Sequence, residues 1–289
     1  PKALQSVAIS HIKLGDVLGH PDFPNVGDTS GALAAYEASL RLWQELLTRP
    51  DDTGEGPAFS ETRTTARRYL GLIHERIGQM SKEQGRIEEA LQSYQESLAI
   101  REAIAADHPT NATARRDVAI GQEKIADVLM VKANYGGALA QYRKSLAGFE
   151  ALAASDVKNA NASRSLAIAL DKVGDALIET AEPAEAFTQY RRSLAIRESL
   201  SAADPDNHEI RRDRAASYTR LGEATLRSAA RRGVIASLEE RRRARAWFQQ
   251  ALEVWRELQH AGALRASETG EPDRIAAKVE EADAALGVR

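Results

Sequence analysis

The sequence predicts an all-α chain, a stack of about five helical hairpins with a final helix closing the last one. Three observations lead there. The composition is 43% hydrophobic and 28% charged with only 5% aromatic residues, and its abundant Ala, Leu, Glu and Arg favour helix over sheet. The block Val118-Ala-Ile-Gly-Gln-Glu-Lys-Ile-Ala-Asp-Val-Leu129 recurs from Leu166 and from Val7, with looser copies around Ile77-Gly78 and Leu221-Gly222. A second block, Ala138-Leu-Ala-Gln-Tyr-Arg-Lys-Ser-Leu146, recurs from Ala32, Ala90, Ala186 and Ala244. Its aromatic column, Tyr36, Tyr94, Tyr142, Tyr190 and Phe248, steps by 58, 48, 48 and 58 residues, so the underlying period is 48.

The apolar spacing assigns each element. First helices are expected near 3–19, 60–83, 112–132, 160–180 and 209–229, with partners near 29–48, 86–106, 136–154, 183–202 and 239–260. Ile120, Ile125, Val128 and Leu129 make the stripe of one first helix, and Leu139, Tyr142, Leu146 and Phe149 that of its partner. One hairpin cannot bury both stripes, so the hairpins must stack. Trp43, Phe149 and Trp255 stand seven residues after the aromatic column and read as core. A last helix at 271–286 places Ile275, Val279, Ala282 and Leu286 on one side as a cap. The whole reads as one domain, 1–289, with repeats at about 1–55, 56–108, 109–157, 158–206 and 207–262 before the capping helix.

Three segments break the period. Gly19 to Asp28 lengthens the first hairpin turn, Arg49 to Phe59 is a Pro- and Gly-bearing connector, and Arg231 to Glu240 lengthens the fifth turn. Loops added to a regular scaffold are places where recognition sits, although insertions are also simply tolerated there.

The pairing of Leu, Ile or Val with Gly or Ala, followed by Ala-x-x-x-Tyr/Phe, resembles the tetratricopeptide signature. That resemblance implies a right-handed α-α superhelix whose first helices line a concave groove. The period departs from the family's usual value of about 34, consistent with roughly two added turns per helix. Leu14 to Tyr36, Leu-Gly-Asp-Val-Leu-Gly-His-Pro-Asp-Phe-Pro-Asn-Val-Gly-Asp-Thr-Ser-Gly-Ala-Leu-Ala-Ala-Tyr, resembles the repeat that opens the carboxy-terminal helical region of bacterial serine/threonine protein kinases. The strings Ser97 to Glu102 and Ser193 to Glu198 resemble the same arrays. Similar arrays occur in bacterial winged-helix regulators. The resemblance implies a protein-interaction region, regulatory in a kinase parent, placed in the cytoplasm or in the periplasm behind an upstream transmembrane kinase.

Catalytic motifs are missing from the sequence. Arg116-Asp117-Val and Arg212-Asp213-Arg share only letters with a kinase catalytic loop, and Pro21-Asp-Phe-Pro24 lacks the glycine of a magnesium-binding Asp-Phe-Gly. No phosphate-cradling Gly-rich loop or Gly-x-Ser-x-Gly elbow is present. With no Cys, and no two His at i, i+4, thiolate and paired-imidazole metal sites have no ligands, so no cofactor or metal is expected. No run of about 18 apolar residues predicts a membrane span, and Pro1 to Ser10 reads as an amphipathic helix rather than an export signal.

Two polar columns remain as candidate sites. The residue after each small residue of the pair is Asp16, Gln79, Asp127, Asp175 or Glu223, and one turn earlier stand Glu75, Glu123 and Asp171. The resemblance places this strip in the groove, where Asp16, Gln79, Glu123, Asp127, Asp171, Asp175 and Glu223 would take a peptide with a basic or amide-rich segment. The competing reading pairs these acids with Lys13, Lys124, Lys172 and Arg220 or with arginines of adjacent helices. The second column is Arg68, Arg116, Arg164 and Arg212, ten residues before each small residue. By resemblance to some short-repeat groove domains it would bind a carboxylate terminus or, the favoured reading, pair with Glu102, Glu150 or Glu198 on the preceding helix. The net charge is −3, but Arg211 to Arg245 holds eleven Arg against Asp213, Glu223, Glu239 and Glu240. An alternative function is contact of that basic stretch with nucleic acid or another anionic surface, against which stands its lack of interleaved aromatics.

Overall fold

The computed structural model describes residues 2–21, 23–48, 57–231 and 236–287. Eleven α-helices and one short 3-10 turn make up its regular structure. The first helices are α1 (Lys2–Gly19), α3 (Pro57–Glu83), α5 (Ala112–Val131), α7 (Ala160–Glu179) and α9 (His208–Arg231). Their partners are α2 (Thr29–Thr48), α4 (Ile87–Asp107), α6 (Tyr135–Ser155), α8 (Pro183–Ala203) and α10 (Leu238–His260), and α11 (Glu271–Leu286) comes last. Of the expected connector, residues 49–56 lie outside the described residues, as do 232–235 of the fifth turn. The described part of the connector already belongs to α3, which starts at Pro57 rather than near 60.

Helix ends obey local chemistry at the 48-residue period. Asn111, Asn159 and Asn207 cap α5, α7 and α9, each side chain accepting from the backbone N–H three residues on (3.1, 3.0 and 3.3 Å). At the hairpin turns, Gly85, Ala133 and Ala181 take positive φ (73°, 55° and 65°). The following N–H groups close onto carbonyls five residues back, Arg86 to Ser81, Asn134 to Leu129 and Glu182 to Leu177, at 2.8–2.9 Å. Two of the three turns thus put alanine where glycine is strain-free.

The chain divides into two compact units, Pro1–Gly148 and Phe149–Arg289. In the first, α1 packs on α2, α2 on α3, α3 on α4 and α4 on α5. Its cores hold Tyr36, Trp43, Ile73 and Met80 in one cluster and Ala90, Tyr94, Ile125 and Val128 in another. Trp43 is stacked on Tyr69 with ring centroids 4.5 Å apart. Leu146 is buried while Lys144 is exposed, the phase expected of the second-helix stripe. In the second unit α7 packs on α8, α8 on α9, α9 on α10 and α10 on α11. Trp255 and Phe248 are buried there, as is Ile275 of the last helix.

Each hairpin is closed by the two sequence blocks meeting. A Cβ placed on Gly15, Gly174 or Gly222 would stand 2.5 Å from the ring of Tyr36, Tyr190 or Phe248, and on Gly78 it would stand 3.0 Å from Tyr94. The glycine of the pair is therefore the seat of the aromatic ring of its own hairpin. Ser39, Ser97 and Ser193 add a second tie, their hydroxyls donating to the carbonyls of Ala8, Gly71 and Ala167 at 2.7–2.9 Å.

Candidate functional site

The acidic column lies on the first helices and starts from the aromatic seat. Because each aspartate follows the glycine or alanine under a tyrosine ring, the phenol reaches its carboxylate. Tyr36, Tyr142 and Tyr190 donate to Oδ1 of Asp16, Asp127 and Asp175 at 2.7, 2.6 and 2.8 Å. Burial first, and then the neighbouring carboxylate, pushes the Tyr36 and Tyr190 phenols well above their ordinary value, so they stay protonated donors. The carboxylates are thereby held in one orientation with part of their surface open; the Asp16 and Asp175 side chains are 22% and 35% exposed.

Cations from the next first helix share these acids. Arg76 of α3 lies 3.5 Å from Asp16, and Arg220 of α9 reaches Asp175 (3.3 Å) and Asp171 (2.9 Å). At Asp16 and Asp175 the pairing runs between consecutive first helices, and Arg220 is one of the cations expected for it. The fifth hairpin differs: Phe248 has no hydroxyl, and Glu223 instead takes Arg274 (3.3 Å) and Lys278 (3.1 Å) from α11. Gln79 is buried beside the seat of Tyr94, and Glu123 is half-buried on α5.

Asp171 belongs to a different environment. It is buried, and Arg197 of α8, itself buried, donates to it at 2.6 Å and also to the hydroxyl of Ser217. The earlier counterpart is Glu75, paired with Arg101 of α4. The arginine of each Ser-Leu-Ala-Ile-Arg-Glu string is thus an internal strut, a role sequence reasoning missed. The available signal was its spacing: both Arg101 and Arg197 stand 26 residues after their acid.

The arginine column splits. Arg164 pairs with Glu209 (2.9 Å) and Asp213 (2.6 Å), and Arg212 with Glu268 (2.9 Å) and the carbonyl of Ala263 (2.8 Å). These partners lie ahead in the chain, which corrects the expectation of backward pairing. Two of the three glutamates named for that pairing are otherwise engaged: Glu150 takes Arg192 (2.7 Å), and Glu198 accepts from the Tyr218 phenol (2.9 Å), whose pKa is pushed up to about 12 by burial and this carboxylate. Arg68 and Arg116 are exposed.

The basic stretch is consumed internally to a large degree. Arg211 pairs with Glu257 and Arg227 with Glu179, while Arg243 pairs with Glu239 and Arg245 with Asp283. Arg214 reaches Ser201, and Arg241 a backbone carbonyl. No group of three or more His, Asp or Glu able to hold a metal occurs among the described residues. None of the described helices is long and apolar enough to cross a membrane.

Residues 75–110, which contain Gly78 and Tyr94, match the tetratricopeptide repeat family model. The fold is tetratricopeptide-like. A candidate kinesin light chain of Podosopora anserina with nearly identical TPR-like repeats is similar, at 14% identity and a TM-score of 0.52, covering 89% of this chain and 96% of that one. BtubC (BKLC) from P. vanneervenii is similar at 16% identity and a TM-score of 0.51, covering 89% and 92%. No curated protein matches the sequence significantly. These tetratricopeptide-like neighbours share the architecture in which the phenol-held carboxylates sit.

Proposed function

We propose that this chain is a protein-interaction scaffold that takes a peptide with basic or amide-rich residues along the first-helix face. The observation that carries the reading is the repeated tyrosine-to-aspartate bond at Asp16, Asp127 and Asp175. It leaves carboxylates fixed in orientation, so ordering them costs a ligand no side-chain entropy. Micromolar affinity, about −8 kcal/mol, is the expected scale. Asp127→Asn/Asp175→Asn tests it cleanly, because an amide oxygen still accepts from the phenol while the charge is gone. Binding of a fluorescein-labelled Lys/Gln peptide should weaken at least about tenfold, and unchanged affinity would remove the acidic column from the account.

The likeness of Leu14 to Tyr36 to kinase-attached arrays supports a regulatory role within a bacterial serine/threonine kinase. Phosphotransfer by the parent protein, measured with and without the Lys/Gln peptide, tests that role. The internal pairing of the Arg211 to Arg245 stretch argues against the nucleic-acid alternative.

A further inference from the structure

Among the described residues eight large apolar side chains are exposed, and five of them, Val7, Leu14, Val17, Phe23 and Val26, fall on α1 and the turn after it. That clustering sets them apart from the single exposed apolar residues that any surface carries. On α1 the strip is Val7, Leu14 and Val17, and Ser6, Val7, Ser10, His11 and Leu14 line a shallow pit of about 260 Å³. The inserted turn lengthens the strip. The Val26 N–H donates to the Val17 carbonyl at 3.1 Å and that of Asp28 to the Leu18 carbonyl at 2.8 Å, which lays Val26, 72% exposed, beside the helix end. The repeat shows what such a face does elsewhere. Ser10, Leu14 and Val17 match Gly121, Ile125 and Val128 of α5. There α4 covers them: Ile125 and Val128 are buried in one core with Ala90 and Tyr94, Leu91 and Leu98 pack against it, and a Cβ on Gly121 would stand 3.1 Å from Leu98. On α9, against which α8 packs, the matching Leu221 and Ala224 are buried as well. Among the described elements α1 has a comparable seam with α2 alone.

We propose that the strip formed by α1 and Val26 docks an amphipathic helix of a partner protein, one with the apolar stripe of α4 and acidic flanks, laid along α1 as α4 lies along α5. Packing continues there the interface that already joins one hairpin to the next, with Ser10 giving a side chain of the incoming helix the room that Gly121 gives Leu98. Charge selects the flanks. The charged residues that α1 exposes are Lys2 and Lys13, and α4 carries Glu88, Glu89, Glu96 and Glu102 around its stripe. Glu88 takes Lys132 at the end of α5 (2.7 Å), so acid on the covering helix has a precedent. A second copy fits worse. The helices α2, α4, α8 and α10 are each already held between two others. Because α11 turns Asp273, Arg274, Glu280 and Glu281 to solvent, stacking it on the strip would bury unpaired charge. Two α1 helices face to face would bring the lysines of both copies to one seam.

The inference shares with the scaffold reading only that the ligand is a protein. Its test uses the full chain and a fluorescein-labelled peptide with the sequence of residues 87–107, followed by anisotropy and circular dichroism. The probe should bind and gain helical ellipticity on mixing, while the same peptide with Leu91→Glu and Leu98→Glu should do neither. In the chain, Leu14→Lys and Val17→Lys should each weaken binding at least about tenfold, and Ser10→Gln, which fills the pit, at least about threefold. Val157→Lys changes an exposed apolar residue outside the strip and should leave binding as it was. If the probe fails to bind, if the charged control binds as well, or if binding survives Leu14→Lys, Val17→Lys and Ser10→Gln, the proposal is overturned. Sedimentation of the chain alone should show a monomer. A dimer that Leu14→Lys dissolves would assign the strip to a second copy and overturn the proposal as well. Asp127→Asn/Asp175→Asn alters α5 and α7 and should leave the probe's affinity unchanged, so the two readings fail separately.

Discussion

The junction of the second and third hairpins and that of the fourth and fifth are built from matching positions 96 residues apart, yet they handle charge differently. In the later junction, Asp171 and Arg197 are almost completely buried, with side chains 4% and 5% exposed, and Arg220 closes over them. In the earlier junction Glu75 and Arg101 are 17% and 12% exposed, and the counterpart of Arg220 is Lys124. One extra methylene on Glu75 and one lost guanidinium separate a sealed ionic strut from a wetter one. The same skeleton therefore supports a closed junction and a more open one.

The largest effect should come from breaking the sealed strut. Asp171→Ala leaves Arg197 buried without its partner and should cost about 3–5 kcal/mol in denaturant unfolding. Glu75→Ala, with water closer at hand, should cost about 1.5–3 kcal/mol. Equal losses would mean that the two struts are energetically alike despite their different burial.

Next comes the aromatic seat. Gly174→Ala drives a methyl into the Tyr190 ring and should cost about 1–3 kcal/mol by overpacking. At Gly78 the ring of Tyr94 stands farther off, and the gain in helix propensity of roughly 1 kcal/mol offsets much of the clash. Thermal melts of the two variants should differ in that order, and a lower melting temperature for the Gly78 variant would refute the seat geometry.

A smaller contrast lies in the turns. Gly85 and Ala181 hold the same positive-φ position 96 residues apart. Ala181→Gly should stabilise and Gly85→Ala destabilise, each by about 1 kcal/mol. Opposite signs in paired denaturation curves are the readout.

The smallest effect concerns pH. His74 sits 2.8 Å from Glu96, but burial outweighs that carboxylate and lowers its pKa below the ordinary 6.5. The native state then binds fewer protons than the unfolded chain in the window below 6.5, so stability falls as pH drops through that value. Its counterpart in the fourth hairpin is the buried Leu170, which has nothing to titrate. His74→Leu should flatten the pH dependence between about 7 and 5, and an unaltered slope in stability measured across that range would remove His74 from the account.

Much of this was legible in the sequence. Helix bounds came within about three residues because the hydrophobic blocks recur five times over and correct one another. The seat of the ring was legible only in part: a fixed small residue and a fixed aromatic residue point to a close approach, but not to which hairpin supplies each, and Gly174 lies under Tyr190 of its own hairpin rather than beside Tyr142 of the one before. The polar wiring was not. Asp16 and Tyr36 are 20 residues apart and Arg164 and Asp213 are 49 apart, so their meeting depends on how hairpins fold and stack. A trace of it was visible in retrospect: aspartate accompanies tyrosine at three hairpins, while the one phenylalanine, Phe248, accompanies Glu223, an acid that turns elsewhere. The forward direction of the arginine pairs left no local trace, because charge alone does not tell one neighbouring helix from the other.

The phenol-to-aspartate bond is blind to what lies between its two ends. It closes across 15 residues at Tyr142 and Tyr190 and across 20 at Tyr36, where the turn also carries His20 and Phe23. The hairpin mouth therefore works as a splice port: chain can be let in there without disturbing the clasp behind it. Variation among such arrays can then accumulate at one rim, leaving the stacked helices to be inherited as an unchanging frame.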